Sequence, residues 1–282
     1  MPTLPFGYQS TVAAALAEDV GTGDITTEVT VPAGLKATGR FVSRAPGIVA
    51  GLPLVAEVYR TLDPSLVVTC SLEDGANCEP GDVLCEVTGA ARAILTGERV
   101  ALNFVQHLSG IATRTAMFVS LTTGYKARIV DTRKTTPGLR SLEKYAVRAG
   151  GGFNHRSGLY DAILIKDNHI LACGSITAAV QLALAEAPHT LSITVECDSL
   201  EQVAEALEAG AGTILLDNMT PDQIAIAVEQ IDGGAYVEAS GGITESTARA
   251  VAAAGADIIS VGALTHSSPA LDIGLDLVPL SS

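Results

Sequence analysis

The chain has 282 residues, of which 48% are hydrophobic and 17% charged, a globular composition long enough for one large or two moderate domains. Its net charge of −14, the absence of Trp and an aromatic share of 4% exclude a general nucleic-acid binder. The first thirty residues lack the basic, apolar, small-residue order of a signal peptide, and no run of about 18 apolar residues escapes a charge or a turn former, so a cytoplasmic protein with no membrane partner is expected.

In chain order, residues 1–109 read as an N-terminal α/β domain with a connecting helix. Alternation around residues 38–43 and 66–72, with turn signals at Ala45-Pro46-Gly47 and Glu79-Pro80-Gly81, predicts short antiparallel strands. Gly21-Thr22-Gly23 lacks the third glycine of a dinucleotide fingerprint and is expected to lack a following helix, so it is not read as a nucleotide loop. Residues 95–121 form a long helical pattern with Gly110 inside it, a place for a kink or an interdomain bridge. The five cysteines, at 70, 78, 85, 173 and 197, form no CxxC pair and read as buried free thiols.

Residues 110–282 read as an incomplete β/α barrel whose C-terminal tail is free to return to the first domain. Apolar runs at 127–131, 162–166, 192–196, 213–217, 235–239 and 257–261 alternate with amphipathic helices, the rhythm of parallel strands with right-handed crossovers. Leu200, Val203, Ala204 and Leu207 predict one buried helical face. A weak internal repeat sets residues 209–217 in register with 254–262, each a helix end, a glycine stop and a buried strand. Six runs are too few for an eight-stranded barrel. In such an architecture all the strand ends share the face where active sites are built.

The charges are unevenly spread. Residues 1–125 carry 7 basic and 12 acidic side chains, residues 126–166 carry 9 and 3, and residues 167–282 carry 1 and 16. Arg140, Lys144 and Arg148 stand at helical spacing and read equally well as a solvated face, whereas Arg133, Lys134, Arg156 and Lys166 fit no helical stripe and suggest an anionic ligand. Glu196 and Asp217 end consecutive strands, placed to share a hard divalent cation such as Mg²⁺ through oxygen ligands; either alone reads also as a cap on the next helix or a partner of Lys166. Ser240-Gly241-Gly242 precedes an expected helix with Thr244 and Glu245 in its first turn, and Gly262 precedes Ala263; both let backbone N–H groups approach a phosphate. No Walker loop, Gly-x-Ser-x-Gly elbow or HExxH is present.

The runs Asp131-Thr132-Arg133-Lys134-Thr135-Thr136-Pro137-Gly138-Leu139-Arg140, Gly150-Gly151-Gly152-Phe153-Asn154-His155-Arg156 and Leu164-Ile165-Lys166-Asp167-Asn168-His169 strongly resemble the quinolinate phosphoribosyltransferase family. The resemblance extends from Glu18-Asp19-Val20 through Glu98-Arg99-Val100 to Leu264-Thr265-His266-Ser267, with Val100 and Cys197 as small departures. It implies condensation of quinolinate with phosphoribosyl pyrophosphate (PRPP), with Mg²⁺, to nicotinate mononucleotide, CO₂ and pyrophosphate in de novo NAD biosynthesis. It further implies that Arg133, His155, Arg156 and Lys166 hold quinolinate together with Arg99 of a neighbouring subunit, and that Lys134 sits by the pyrophosphate. Glu196 and Asp217 then face ribose and metal, and Ser240, Gly241, Gly242 and Gly262 take the 5′-phosphate, in a homodimer or higher homo-oligomer with shared sites.

Two other readings stay open on the residues alone. A Schiff-base barrel lyase would use Lys166 as nucleophile, leaving the Arg cluster and both carboxylates underused. A non-catalytic paralogue, like relatives associated with molybdenum transport, would have little use for the complete charged set.

Overall fold

Alternating burial along antiparallel strands governs the first part of the chain, and uniformly buried parallel strands govern the second. The computed structural model describes residues 2–280; Met1, Ser281 and Ser282, at the outer ends of the two expected domains, lie outside the described residues. Two compact units emerge: residues 1–116, 135–151 and 264–282 form one, residues 117–134 and 152–263 the other.

The first unit opens with α1 (Tyr8–Val20), α2 (Ile25–Thr30), β1 (Lys36–Ser43), β2 (Gly47–Ile48), α3 (Leu52–Leu62), β3 (Val67–Cys70), β4 (Asn77–Cys78), β5 (Val83–Ala90) and α4 (Ala91–Leu121), whose residues from Met117 on belong to the second unit. The helix α2 follows Gly23 after all, capped by the Asp24 carboxylate on Thr27 N–H. It follows a helix rather than a strand, so the glycines still do not make a nucleotide loop. The helix α4 runs unbroken through Gly110, where a Cβ would stand 2.0 Å from the Pro269 carbonyl oxygen. Close backbone approach, not a kink, accounts for that glycine. Of the cysteines, all free, Cys70 and Cys173 are exposed rather than buried; Cys70 faces buried Cys85 across the β3–β5 ladder.

The second unit begins with β6 (Arg128–Val130), after which the chain leaves it to form α5 (Arg140–Ala149) in the first unit. It returns for β7 (Ile163–Ile165), α6 (Asp167–Cys173), α7 (Ile176–Glu186), β8 (Ile193–Cys197), α8 (Leu200–Ala209), β9 (Thr213–Asp217), α9 (Pro221–Ile231), β10 (Tyr236–Ser240), α10 (Ala248–Ala253) and β11 (Ile258–Ser260). Then α11 (Ala263–His266) leads to β12 (Ile273–Pro279), which pairs with β1 and completes a four-stranded sheet of order β12-β1-β5-β3.

The six parallel strands stand in the order β6-β11-β10-β9-β8-β7. That is barrel order, with consecutive strands neighbouring one another except β6 and β7, so the expected incomplete β/α barrel is open there. The interval between those strands is the one whose helix was given to the first unit, and only an isolated bridge, Val130 to Phe153, continues from β6. The internal repeat is structural: Gly210 and Gly255 both adopt left-handed φ, +95° and +100°, where a helix ends before a strand. On α8 the buried stripe is Val203, Ala206 and Ala209, while Ala204 is exposed, because small residues three apart let the helix lie close to the sheet. On α5, Lys144 is buried, so that part of the expected solvated face is inside.

A buried carboxylate holds the start of α3. Asp74 accepts from Gly51 N–H at 2.7 Å, Leu52 N–H at 3.0 Å and Tyr145 O–H at 2.6 Å, satisfying donors at the helix N-terminus. Burial raises its pKa, against the lowering effect of those three bonds. Asp74→Ala strands these donors in an apolar surround, and we expect a loss of about 3 kcal/mol in urea unfolding. An unchanged urea midpoint would show that other groups cap α3.

Candidate active site

Parallel strands deliver nearly all the candidate residues to one edge of the second unit. Arg133 and Lys134 follow β6, Lys166 follows β7, Glu196 is the penultimate residue of β8, Asp217 and Ser240 are the last of β9 and β10, and Gly262 follows β11. His155 and Arg156 occupy the loop that approaches β7 across the open side of the barrel. Arg99 is the exception: it lies on α4, in the other compact unit.

The loop bearing His155 is tied to the end of β6 by Asp131, fully buried, whose Oδ1 accepts from His155 N–H at 2.9 Å and whose Oδ2 accepts from Asn154 Nδ2 at 2.5 Å. Phe153 extends the attachment by exchanging backbone bonds with Ile129 and Asp131. Burial, and then the neighbouring Arg133 guanidinium, lowers the Arg156 pKa from its ordinary value. Two cations thus stand side by side, and an anion between them would relieve their repulsion. The fork geometry of guanidinium suits a carboxylate.

Next along the edge, Lys166 Nζ pairs with a Glu196 carboxylate oxygen. An ammonium engaged this way is a poor nucleophile, which tells against the Schiff-base reading. The Lys166 N–H also donates to His169 Nδ1 at 3.0 Å, giving that histidine a local role in opening α6. Asn218, at left-handed φ +56°, donates from Nδ2 to Asp217 Oδ2 at 2.8 Å and from its backbone N–H to the Ser240 carbonyl at 2.9 Å. A Cβ on Gly241 would meet Asn218 Oδ1 at 2.3 Å, and Gly241 and Gly242 have φ of +82° and +61°, so this loop admits no larger side chain. Thr244 and Glu245 lie in the turn before α10 rather than inside it: Thr244 N–H is held by Thr247 Oγ1 and the helix starts at Ala248. Backbone donors of a left-handed glycine pair, rather than a helix end, are what this loop offers an anion.

Glu196 and Asp217 lie on one face of adjacent strands, since Glu196 is in register with Leu215. Among the described residues no group of three or more His, Cys, Asp or Glu could hold a metal ion. The donor chemistry fits a hard cation all the same: two carboxylates, with water and substrate oxygens completing the shell, is an ordinary arrangement for Mg²⁺. Residues that the sequence reading passed over are Asp131 as an anchor, Asn154, Asn218 and Glu238. Glu238 was visible as the one charge inside the apolar run 235–239. Among the described residues no single helix is long and apolar enough to cross a membrane.

Comparison with known proteins adds the following. The quinolinate phosphoribosyl transferase N-terminal domain matches residues 24–109 and the C-terminal domain of the same family matches residues 111–276. A nicotinate-nucleotide pyrophosphorylase (carboxylating) of Mycobacterium leprae is 49% identical over 276 residues, spanning 95% of this chain and 96% of that one. A probable nicotinate-nucleotide pyrophosphorylase (carboxylating) of Bacillus subtilis is 46% identical over 260 residues, 92% of this chain and 90% of the relative. The crystal structure of NadC from Streptococcus pyogenes superposes with a TM-score of 0.95 at 41% identity, covering 100% of both chains.

The Asp131 anchor makes a prediction. Asp131→Asn sets an amide where two donors, His155 N–H and Asn154 Nδ2, now meet carboxylate oxygens. We expect the affinity for quinolinate, measured by calorimetry, to fall at least about tenfold, the equivalent of one charge-assisted hydrogen bond. An unaltered Kd would mean that the loop holds its shape without this carboxylate.

Proposed function

The chain belongs to the quinolinate phosphoribosyl transferase family, and from that premise we propose how its strand ends divide the reaction among themselves. It is a pentosyltransferase of the decarboxylating quinolinate phosphoribosyltransferase type, an activity of NAD biosynthesis that takes quinolinate and PRPP as substrates. One observation supports the division of labour: the order of residues around the sheet edge. From β6 through β11, β10, β9 and β8 to β7 come Arg133 and Lys134, then Gly262, then Ser240-Gly241-Gly242, then Asp217, Glu196 and Lys166, with His155 and Arg156 at the opening. PRPP has its ribose between a 5′-phosphate and a pyrophosphate, and the new ring attaches at the same anomeric carbon that the pyrophosphate leaves. The carboxylates accordingly stand between the glycine loops and Lys166, with Arg133 and Lys134 on the other side of the glycine loops.

In this reading Ser240, Gly241, Gly242 and Gly262 take the 5′-phosphate, and Glu196 and Asp217 face the ribose. Arg133, His155, Arg156 and Lys166 grip the two carboxylates of quinolinate, and Lys134 receives the pyrophosphate. Cleavage at the anomeric carbon develops oxocarbenium-like charge, which the two carboxylates stabilise, while Lys134 offsets negative charge on the leaving group. Mg²⁺, held by Glu196 and Asp217, supplies charge neutralisation on the PRPP oxygens when bound. Once the ring nitrogen is quaternary, the ring itself accepts the electron pair left as CO₂ departs. The residues around it need only hold the plane and exclude water. The enzyme works in the cytoplasm as a homodimer or higher homo-oligomer in which Arg99 of one subunit completes the site of another; its place on α4, in the compact unit that holds no barrel strand, supports that.

Three measurements test this. Purified protein with quinolinate, PRPP and Mg²⁺ should release pyrophosphate and nicotinate mononucleotide, and chelation of the metal should stop turnover; turnover that survives chelation would remove Mg²⁺ from the account. Nicotinate, lacking the carboxylate beside the ring nitrogen, should be poorer by about 2 to 5 kcal/mol in kcat/KM, the cost of leaving charged partners unmatched. Comparable efficiency for the two acids would assign the Arg133 and Arg156 pair another purpose. Mixing inactive Arg99→Ala with inactive Lys134→Ala after subunit exchange should restore about half of wild-type activity per mixed dimer, because one site then carries both lesions and the other neither. No recovery after demonstrated exchange would put Arg99 in its own subunit's site or outside the chemistry.

A further inference from the structure

Glu238 stands in the middle of β10 with 2% of its surface exposed. Register pairs it with Leu215, and Leu215 with Glu196, so Glu238 and Glu196 lie on the same face of the sheet, two strands apart. Its Oε1 has no hydrogen-bond partner, an expensive condition for a buried carboxylate oxygen. The ring of His155 approaches it, with Nε2 3.4 Å from that oxygen.

The other side of the ring is already committed. Arg156 N–H donates to His155 Nδ1 at 2.7 Å, so Nδ1 acts as the acceptor and the ring hydrogen belongs on Nε2, facing Glu238. A neutral imidazole has one donor and one acceptor, and a ring turned the other way would present a lone pair to the carboxylate below it and to any carboxylate above it. We propose that Glu238 is a positioning residue that fixes His155 as the Nε2–H tautomer and, through the Arg156 N–H bond, sets the stretch His155-Arg156 that meets the dianionic substrate. This rests on the assignment of His155 and Arg156 to quinolinate. The contact at 3.4 Å is a carboxylate waiting on a donor that a small ring shift brings into hydrogen-bond range. The arrangement is that of a metal or catalytic histidine oriented by an acid behind it, with the acid contributed by the strand floor.

The test begins with the free wild-type protein. Histidine labelled with ¹⁵N gives a tractable spectrum, since the chain has five histidines, and the His155 signals are identified by their loss in His155→Asn. The expected signature is a protonated Nε2 and an unprotonated Nδ1; the opposite tautomer overturns the proposal without any variant of Glu238. In Glu238→Ala the His155 signals should move to the averaged values of mixed tautomers. The KM for quinolinate should rise about tenfold while the KM for PRPP stays within about twofold, and Glu238→Gln, whose amide oxygen can still accept from Nε2–H, should recover most of the loss. Adding Glu238→Ala to His155→Ala should cost nothing further, because both act through one contact; additive losses overturn the proposal. If Glu238→Ala fails to fold, the wild-type spectrum and the Gln variant still decide. A failure of the quinolinate assignment looks different: Arg156→Ala would leave the KM for quinolinate unchanged, while the tautomer signature of the free protein would stand.

Discussion

Six strands running the same way must all end on the same side, and nearly everything this protein can do follows from that constraint. A parallel ladder has no freedom to send one strand end elsewhere, so residues separated by more than a hundred positions, Arg133 and Gly262 among them, arrive at one edge without any contact between them having to be designed. What the sequence must then specify is only which side chain sits at each end. The edge sorts by charge: cations on the strands beside the opening, carboxylates on two adjacent strands, and glycines on two others. A polyanion with one ribose at its centre meets each of these in turn.

The same arrangement carries a cost that folding alone would have avoided. Arg133 and Arg156 are close enough for one to depress the other's pKa, and repulsion between them is present whenever the site is empty. Asp131, which is buried, fixes the loop that carries Arg156 by accepting from His155 N–H and Asn154 Nδ2.

Much of this was legible in the residues because parallel strands are short, buried and periodic. The run 213–217 coincides with β9, and the other five runs match their strands to within one or two residues, since each is an apolar stretch closed by a polar side chain at the mouth. The first unit was harder. The helices α1 and α3 and the strands β5 and β12 were passed over, and β12 in particular pairs with a strand more than two hundred positions earlier, a partner that no local pattern reveals. Lys144 misled for a related reason: spacing shows which residues share a face of α5 but not that its middle is packed. Glu238 is the instructive omission. Inside an apolar run it could be read only as a blemish, and its meaning appears when the loop from the open side of the barrel brings His155 to within 3.4 Å.

The ion pair between Lys166 and Glu196 joins the cationic and acidic parts of the edge, and it bears on how the two substrates share the site. In the free protein each neutralises the other, so neither stands as an isolated charge in a partly buried place. On the proposed assignment of the site, a dianion beside Arg133 and Arg156 offers Lys166 a second carboxylate, and a ribose beside Asp217 offers Glu196 hydroxyl donors. Each substrate therefore weakens the pair from its own side, and the partner released is the one that the other substrate needs. On that assignment the binding of one substrate lowers the cost of binding the next, a reciprocal coupling carried by the one ion pair.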